Sequence, residues 1–152
     1  MTAGPVVSLT RLRLRSVRFL PRFALETTRS SRQARRSPGF LGGAVLADRR
    51  LTFWTATMWT GEEAMRAYVR GGPHGAVMPR LLDWCDEAAV ARWQAEAPGL
   101  PSWAEAAERM RSMGRPSRVR HPSPDHASLA IPDPRPTVAA PLPPPRVART
   151  RP

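Results

Sequence analysis

FLGGAVLADRRLTFWTATMWTGEE, residues 40–63, is the stretch on which the fold turns. FLGGAVLA (40–47) is an apolar run, and Asp48–Arg49–Arg50 breaks it. LTFWTATMW (51–59) then alternates Phe53, Thr55, Thr57 and Trp59 against Trp54, Ala56 and Met58. Two strand-like runs across a short polar break predict a β-hairpin. Gly42–Gly43 inside the first strand marks a bulge or a close approach. Both parities of the second strand carry large apolar residues: Phe53 and Trp59 on one, Trp54 and Met58 on the other. Both faces of the resulting sheet therefore need cover.

Upstream, VVSLTRLRLR (6–15) is rich in β-formers and alternates Leu12 and Leu14 with Arg11, Arg13 and Arg15, which predicts a strand. Ser16 is placed to cap the next element. Residues 17–36 predict a helix with Leu20, Phe23, Ala24, Thr27, Ser31 and Ala34 on one side. Pro21 is tolerated only in a first turn, so the helix is expected to start at Leu20. Arg15, Arg18, Arg22, Arg29 and Arg36 recur at helical steps as a basic stripe, read either as a solvated face or as a site for an acidic partner.

Downstream, Thr60 and Glu63 have capping-box spacing, and Glu62–Arg66 is an outward i, i+4 pair. Gly71–Gly72–Pro73 interrupts that helix. In GGPHGAVMPRLLDW (71–84), His74, Val77, Met78, Leu81, Leu82 and Cys85 follow one helical face, with regular helix expected from just before Pro79. EAAVARWQAE (87–96) is ambiguous between helix and strand. PSWAEAAERMRSMG (101–114) is a helix with Ser102 and Glu105 as a capping box, Trp103, Ala106, Ala107 and Met110 as its buried face, and Gly114 at its end. SRVRH (117–121) is read as a last short strand.

With 87–96 as a strand, the order is the βαββαβ plan of a ferredoxin-like α+β fold, an antiparallel sheet with an extra C-terminal helix. Two such sheets packed face to face in a homodimer would cover the second face. The domain is expected over residues 1–120. Residues 121–152 hold 10 of the 18 prolines and predict a disordered Pro/Arg-rich tail that buries no core.

The formal net charge is +12, and every basic residue is arginine. Lysine and asparagine are absent and Ile131 is the only isoleucine, the mark of a GC-rich, bacterial coding sequence. That bias weakens any inference from charge to partner. Residues 1–50 carry 11 arginines against Glu26 and Asp48 alone. Arg11, Arg13 and Arg15 interrupt the only early apolar stretch, so no secretory leader is read, although an Arg-rich start has features of a transit peptide. No apolar run approaches the ~20 residues that span a bilayer. A lone Cys85 excludes an internal disulfide and fits the cytoplasm.

The run from Gly39 to Trp84 resembles the dimeric α/β-barrel superfamily, nearest the antibiotic-biosynthesis monooxygenases and spheroidene monooxygenase-like proteins. The features that carry it are the hairpin ending in Trp59, the acidic helix start at Glu62–Glu63, the aromatic Tyr68 and the His74 beyond it. The resemblance covers residues 5–97. It implies a homodimer with a pocket for an apolar or aromatic small molecule, lined by Trp54, Met58, Trp59, Tyr68 and Met78. It also implies monooxygenase-like chemistry, with haem or with no cofactor at all. His74 is the candidate catalytic base, the candidate haem ligand, or a core histidine with its hydrogen bonds met. The aromatics are pocket walls or plain core.

No zinc-type metal site is expected, because His121 and His126 lack partners at ligand spacing. No phosphate-binding glycine pattern or nucleophile elbow is present. Nucleic-acid binding is disfavoured: the third strand lacks the glycine and exposed aromatics of RNA-recognition modules, and the arginines cluster on the first helix. A non-catalytic small-molecule binder or structural homodimer is the competing class.

Overall fold

Asp48 closes the first hairpin strand, and Arg50 and Leu51 turn the chain with φ of 56° and 57°. The turn leaves Leu51 O to accept from Leu14 N at 3.0 Å. The computed structural model describes residues 4–97, 99–135 and 138–144. Its elements are β1 (Val6–Leu14), a 3-10 turn (Val17–Phe19), α1 (Leu20–Arg36), β2 (Phe40–Asp48), β3 (Thr52–Trp59), α2 (Glu62–Arg70), α3 (Gly72–Trp84), β4 (Cys85–Gln94), α4 (Trp103–Met113), β5 (Arg115–Pro116) and β6 (Val138–Leu142). The sheet order is β5-β4-β1-β3-β2-β6, antiparallel throughout. Its centre, β4-β1-β3-β2, is the ferredoxin-like order, and this is an α+β ferredoxin-like fold. The bulge falls where the two glycines stand: Phe40 faces Trp59 and Gly42, not Leu41, faces Met58. Gly42 takes φ +152° there, open to glycine and costly for other residues.

Strand alternation sends each strand's side chains to two different layers. Leu9, Leu46, Trp54, Ala56, Ala89 and Ala91 form one cluster with Ala106, Ala107 and Met110 of α4 and with Ile131. On the other face, Val6, Phe40 and Trp59 pack on Ala34, Met65 and Tyr68, while Leu14 and Cys85 pack on Phe23, Val77 and Trp84. The face assigned to a partner copy is thus covered by α4 and Ile131 of the same chain. The demand for cover that pointed to a homodimer is met within one subunit.

Several local expectations are corrected. Thr60 does not cap α2. Its N–H is held by Gly39 O at 2.8 Å as a continuation of the hairpin, so the helix starts one residue later with Gly61 as N-cap and no side-chain cap. Ser16 caps the 3-10 turn, and α1 starts at Leu20 with Pro21 in its first turn. Regular helix in α3 begins at Gly72 with Pro73 in its first turn, so Pro79 lies inside the helix, on its exposed side. Cys85 opens β4 rather than belonging to a helix, and the ambiguous run is strand as far as Gln94, because β1 pairs with it from Val6–Gln94 to Leu14–Cys85. Residues 117–121 are not a strand. The short β5 precedes them, and only Ser117 and Arg120 N–H groups reach back, to Ala88 O and Leu82 O.

The tail is also corrected. Over its described part it is built into the fold: β6 pairs with β2, and Ile131 is 8% exposed in the core. Arginines hold it there. Arg111 Nε donates to Ile131 O at 3.0 Å and its guanidinium meets Asp133, while Arg35 Nε donates to Pro143 O at 2.9 Å. Pro141 is accommodated because β6 is an edge strand. Residues 145–152, the end of the proline-rich run, lie outside the described residues.

Candidate functional site

Between the sheet and the α1, α2 and α3 layer lies a cavity of about 760 Å³, within the size range of small-molecule sites. Strand register builds its floor in three rows. The first runs Gly43–Thr57–Ser8–Arg92 across β2, β3, β1 and β4. The second is Val45–Thr55–Thr10–Val90, and the third Ala47–Phe53–Leu12–Ala88. β6 adds Leu142, Ala140 and Val138 as a side wall, one opposite each row. Leu20, Phe23, Thr27, Ser30 and Ser31 of α1 and His74, Val77, Met78 and Leu81 of α3 line the opposite side.

The two ends differ in chemistry. At the third row, the Phe23 ring sits 4.7 Å from Phe53, with Val77 and Leu81 beside it and Arg118 at the edge of the lining. At the first row, Tyr68 stacks on Trp59 at 4.9 Å, His74 lies 4.7 Å from Tyr68, and Trp59 Nε1 donates to Thr57 Oγ1 at 2.9 Å. These aromatic pairs, one at each end, are struts that hold the helices off the sheet, and the small Ser8, Thr10, Thr55 and Thr57 leave the space between unfilled.

His74 is set by the α2–α3 corner. Its N–H donates to Gln33 Oε1 at 2.8 Å, and Gln33 Nε2 donates to Tyr68 O and Gly71 O at 3.1 and 2.7 Å. Gly72 takes φ +52° against the Gln33 amide, where a Cβ would lie 3.0 Å from Cδ. His74 Nδ1 lies 2.9 Å from Val69 O. A carbonyl only accepts, so Nδ1 carries the hydrogen and Nε2 has the free lone pair. Burial, together with the positive charge of Arg92 and against the bond to Val69, holds the imidazole pKa below its ordinary value, so it is neutral at pH 7. Burial likewise raises the Tyr68 phenol, which donates to Ser30 O at 3.3 Å and stays protonated. Glu26, the acid in the lining, is matched by Arg22 and Arg29 at 3.5 and 3.3 Å.

The structure brings together only some of the expected site residues. Tyr68, His74 and Met78 line the cavity, and Met78 is 42% exposed. Trp59 stands behind Tyr68, fully buried, and does not line it. Trp54 borders the floor, but it belongs to the α4-side cluster and Arg11 lies over its ring. Met58 shares that parity and is buried away from the cavity. Ser8, Thr10, Thr55, Thr57, Gln33 and Arg92 went unread. A signal was present: hydroxyl residues alternating in two strands that helices must cover mark a face that cannot close into a dry core. Among the described residues, no three His, Cys, Asp or Glu side chains gather as a metal site. Burial pushes the Cys85 thiol up to about 12, leaving it inert at neutral pH.

A sequence model matches residues 18–117, and its family is described as a domain of unknown function, DUF3291. The chain belongs to the DUF3291 family. No curated protein matches it. Solved structures do resemble this DUF3291 protein. SnoaB, a cofactor-independent oxygenase from Streptomyces nogalater, is 19% identical with TM-score 0.51, covering 66% of this chain and all of SnoaB (100%). A proposed antibiotic biosynthesis monooxygenase from Nitrosomonas europaea is 14% identical with TM-score 0.57, covering 66% and 98%. Another from Bacteroides thetaiotaomicron is 16% identical with TM-score 0.55, covering 65% and 96%. At such identities the likeness concerns the fold, and there the resemblance to the antibiotic-biosynthesis monooxygenases is borne out. No helix among the described residues is long and apolar enough to cross a membrane.

Proposed function

We propose that the cavity binds an apolar or aromatic small molecule and that His74 acts on it as a base, in the manner of a cofactor-free monooxygenase. The observation that carries this reading is the commitment of His74 Nδ1 to Val69 O, which leaves a neutral imidazole with a free Nε2 at the polar end of the cavity. In the reaction, Nε2 takes a proton from an acidic C–H of an electron-rich substrate. The carbanion adds to O₂ and the peroxide anion recovers the proton from the imidazolium. Loss of water from the hydroperoxide leaves a carbonyl. One substrate CH₂ and one O₂ become C=O and H₂O, with no outside reductant. A neutral imidazole held by burial is a base suited to pH 7. Cys85 as sole cysteine agrees with a cytoplasmic setting.

The test is oxygen uptake with an electron-rich hydroxyarene such as 1,3-dihydroxynaphthalene. His74→Ala is expected to lower kcat by about a hundredfold or more, the usual weight of a general base. The rate should rise with pH through a value below the ordinary histidine range and then stay level. Unchanged turnover in His74→Ala would sink the base assignment. Binding with no oxygen uptake at all would favour the competing reading, a non-catalytic binder.

The same nitrogen suits a haem iron, because an axial histidine characteristically donates its other ring N–H to a carbonyl. His74 would be the ligand, and Arg92 the cation in the lining for a propionate. Bound haem would supply redox chemistry with O₂. A shifted Soret band on adding haemin, lost in His74→Ala, would establish this reading in place of the cofactor-free one.

A further inference from the structure

Resting on the reading that the cavity is a ligand site, we propose that its natural occupant is an amphiphile with one anionic oxygen head, carboxylate in type, and an apolar body. The head pairs with Arg92, and the body lies along the floor toward Phe53, Leu12 and Ala88.

Arg92 projects from β4 onto the cavity face, opposite Ser8 in the register, in the same row as Thr57. Among the described residues its guanidinium makes no hydrogen bond and no ion pair, whereas Arg11 and Arg13 of the neighbouring strand, and Arg15 just beyond it, all have carboxylate partners. The acid that acts on it, Glu62, is engaged by Arg66. The residue is exposed overall, and burial of part of its side chain weighs against its charge. A guanidinium in that position gains most from a bound anion, whose two oxygens match its fork of donors.

The rest of the cavity restricts what carries that anion. From the Arg92 row the floor passes through Thr55 and Thr10 to a wholly apolar third row, under Phe23 and Leu81. A compact anion such as phosphate would leave that end empty. A neutral hydrocarbon would leave Arg92 unmatched. A molecule with both parts satisfies both ends, and its head comes to rest beside His74. Arg118 also lines the cavity, but at the third-row end, next to the Ser117 N–H that meets Ala88 O, so it serves as the control cation.

The experiment is calorimetric titration of the full chain with dodecanoate and with dodecanol, for the parent, Arg92→Gln and Arg118→Gln. Dodecanoate is expected to bind more tightly than dodecanol. Arg92→Gln should weaken dodecanoate about tenfold or more, the weight of a charge-assisted hydrogen-bond pair. It should leave dodecanol binding and the melting temperature unchanged, and Arg118→Gln should leave the binding of both probes unchanged. Equal binding of both probes, indifferent to Arg92→Gln, overturns the anionic head while the apolar-ligand reading stands. A selective loss in Arg118→Gln instead overturns the orientation. Binding of neither probe overturns this inference together with the reading on which it rests.

Discussion

The two faces of β3 have opposite fates although their residues alternate one by one. Trp54, Ala56 and Met58 sink into the layer under α4 and are at most 7% exposed. Phe53, Thr55, Thr57 and Trp59 face the cavity layer, where Phe53 and Thr55 stay half-buried. On the first face a large indole lies beside alanines, which close-pack without voids. On the second, hydroxyl residues lie between two aromatic struts, and the covering helices cannot descend onto them. A cavity therefore needs no special segment. It arises where side-chain size is small at the middle of a sheet and large at both ends.

The strongest way to break this comparison is to exchange its adjacent members. Trp54→Ala is expected to cost about 3–5 kcal/mol of stability, a full core truncation, against under about 1 kcal/mol for Thr55→Ala. Urea unfolding measures both, and equal losses would mean that the two faces are packed alike.

Next comes the ion pair on the α4 side. Glu87 receives Arg11 Nη1 at 2.6 Å and Ser123 Oγ at 2.7 Å, and both it and Arg11 are buried. Burial alone would raise this carboxyl, but those bonds and the charges of Arg11 and Arg13 hold it below its usual range. Its contribution is therefore present above the ordinary glutamate pKa and is lost as pH falls through the depressed value. Glu87→Gln should cost roughly 3 kcal/mol at pH 7, because Arg11 is left buried without its counter-charge. The variant's melting temperature should also fall less on acidification than the parent's. An unchanged acid profile would show that Glu87 is not ionised in the fold.

The smallest effect tests the cavity face. His74 has its pKa lowered on folding, so the unfolded chain takes up the proton first. Its influence on stability is nil well above pH 6.5 and becomes a penalty as pH falls below that ordinary value. Melting curves of His74→Gln and parent should diverge in slope between neutral pH and pH 5, with the parent losing more. Parallel curves would mean that the imidazole is solvated rather than held in the cavity.

Much of this architecture is legible along the chain. The hairpin at 40–59, the bulge at Gly42, the start of α1 at Leu20 and the cap of α4 by Ser102, which accepts from Glu105 N at 3.1 Å, follow from local rules. The candidate site is legible only in part. His74, Tyr68 and Met78 stand on helical faces whose phase locates the cavity. Met58 falls outside the expected pocket and Trp54 only borders it, because an aromatic or apolar residue at either parity of a strand looks alike until the layers on each side are known. The tail misleads for a related reason: proline disfavours helix interiors and central strands, but it permits an edge strand and an extended segment pinned by arginines.

The sequence by itself determined the hairpin, β1 and the helices, though not β4, β5 or β6, and through hydrophobic alternation it determined that both sheet faces must be covered. Only the tertiary structure decided what covers them. The covers are α4 with Ile131 on one side and helices propped off the floor on the other. Pattern is a property of neighbours along the chain. Which layer a face meets, and whether a space remains, depends on the volumes of residues far apart in sequence, such as Thr10, Thr55, Phe23 and Tyr68.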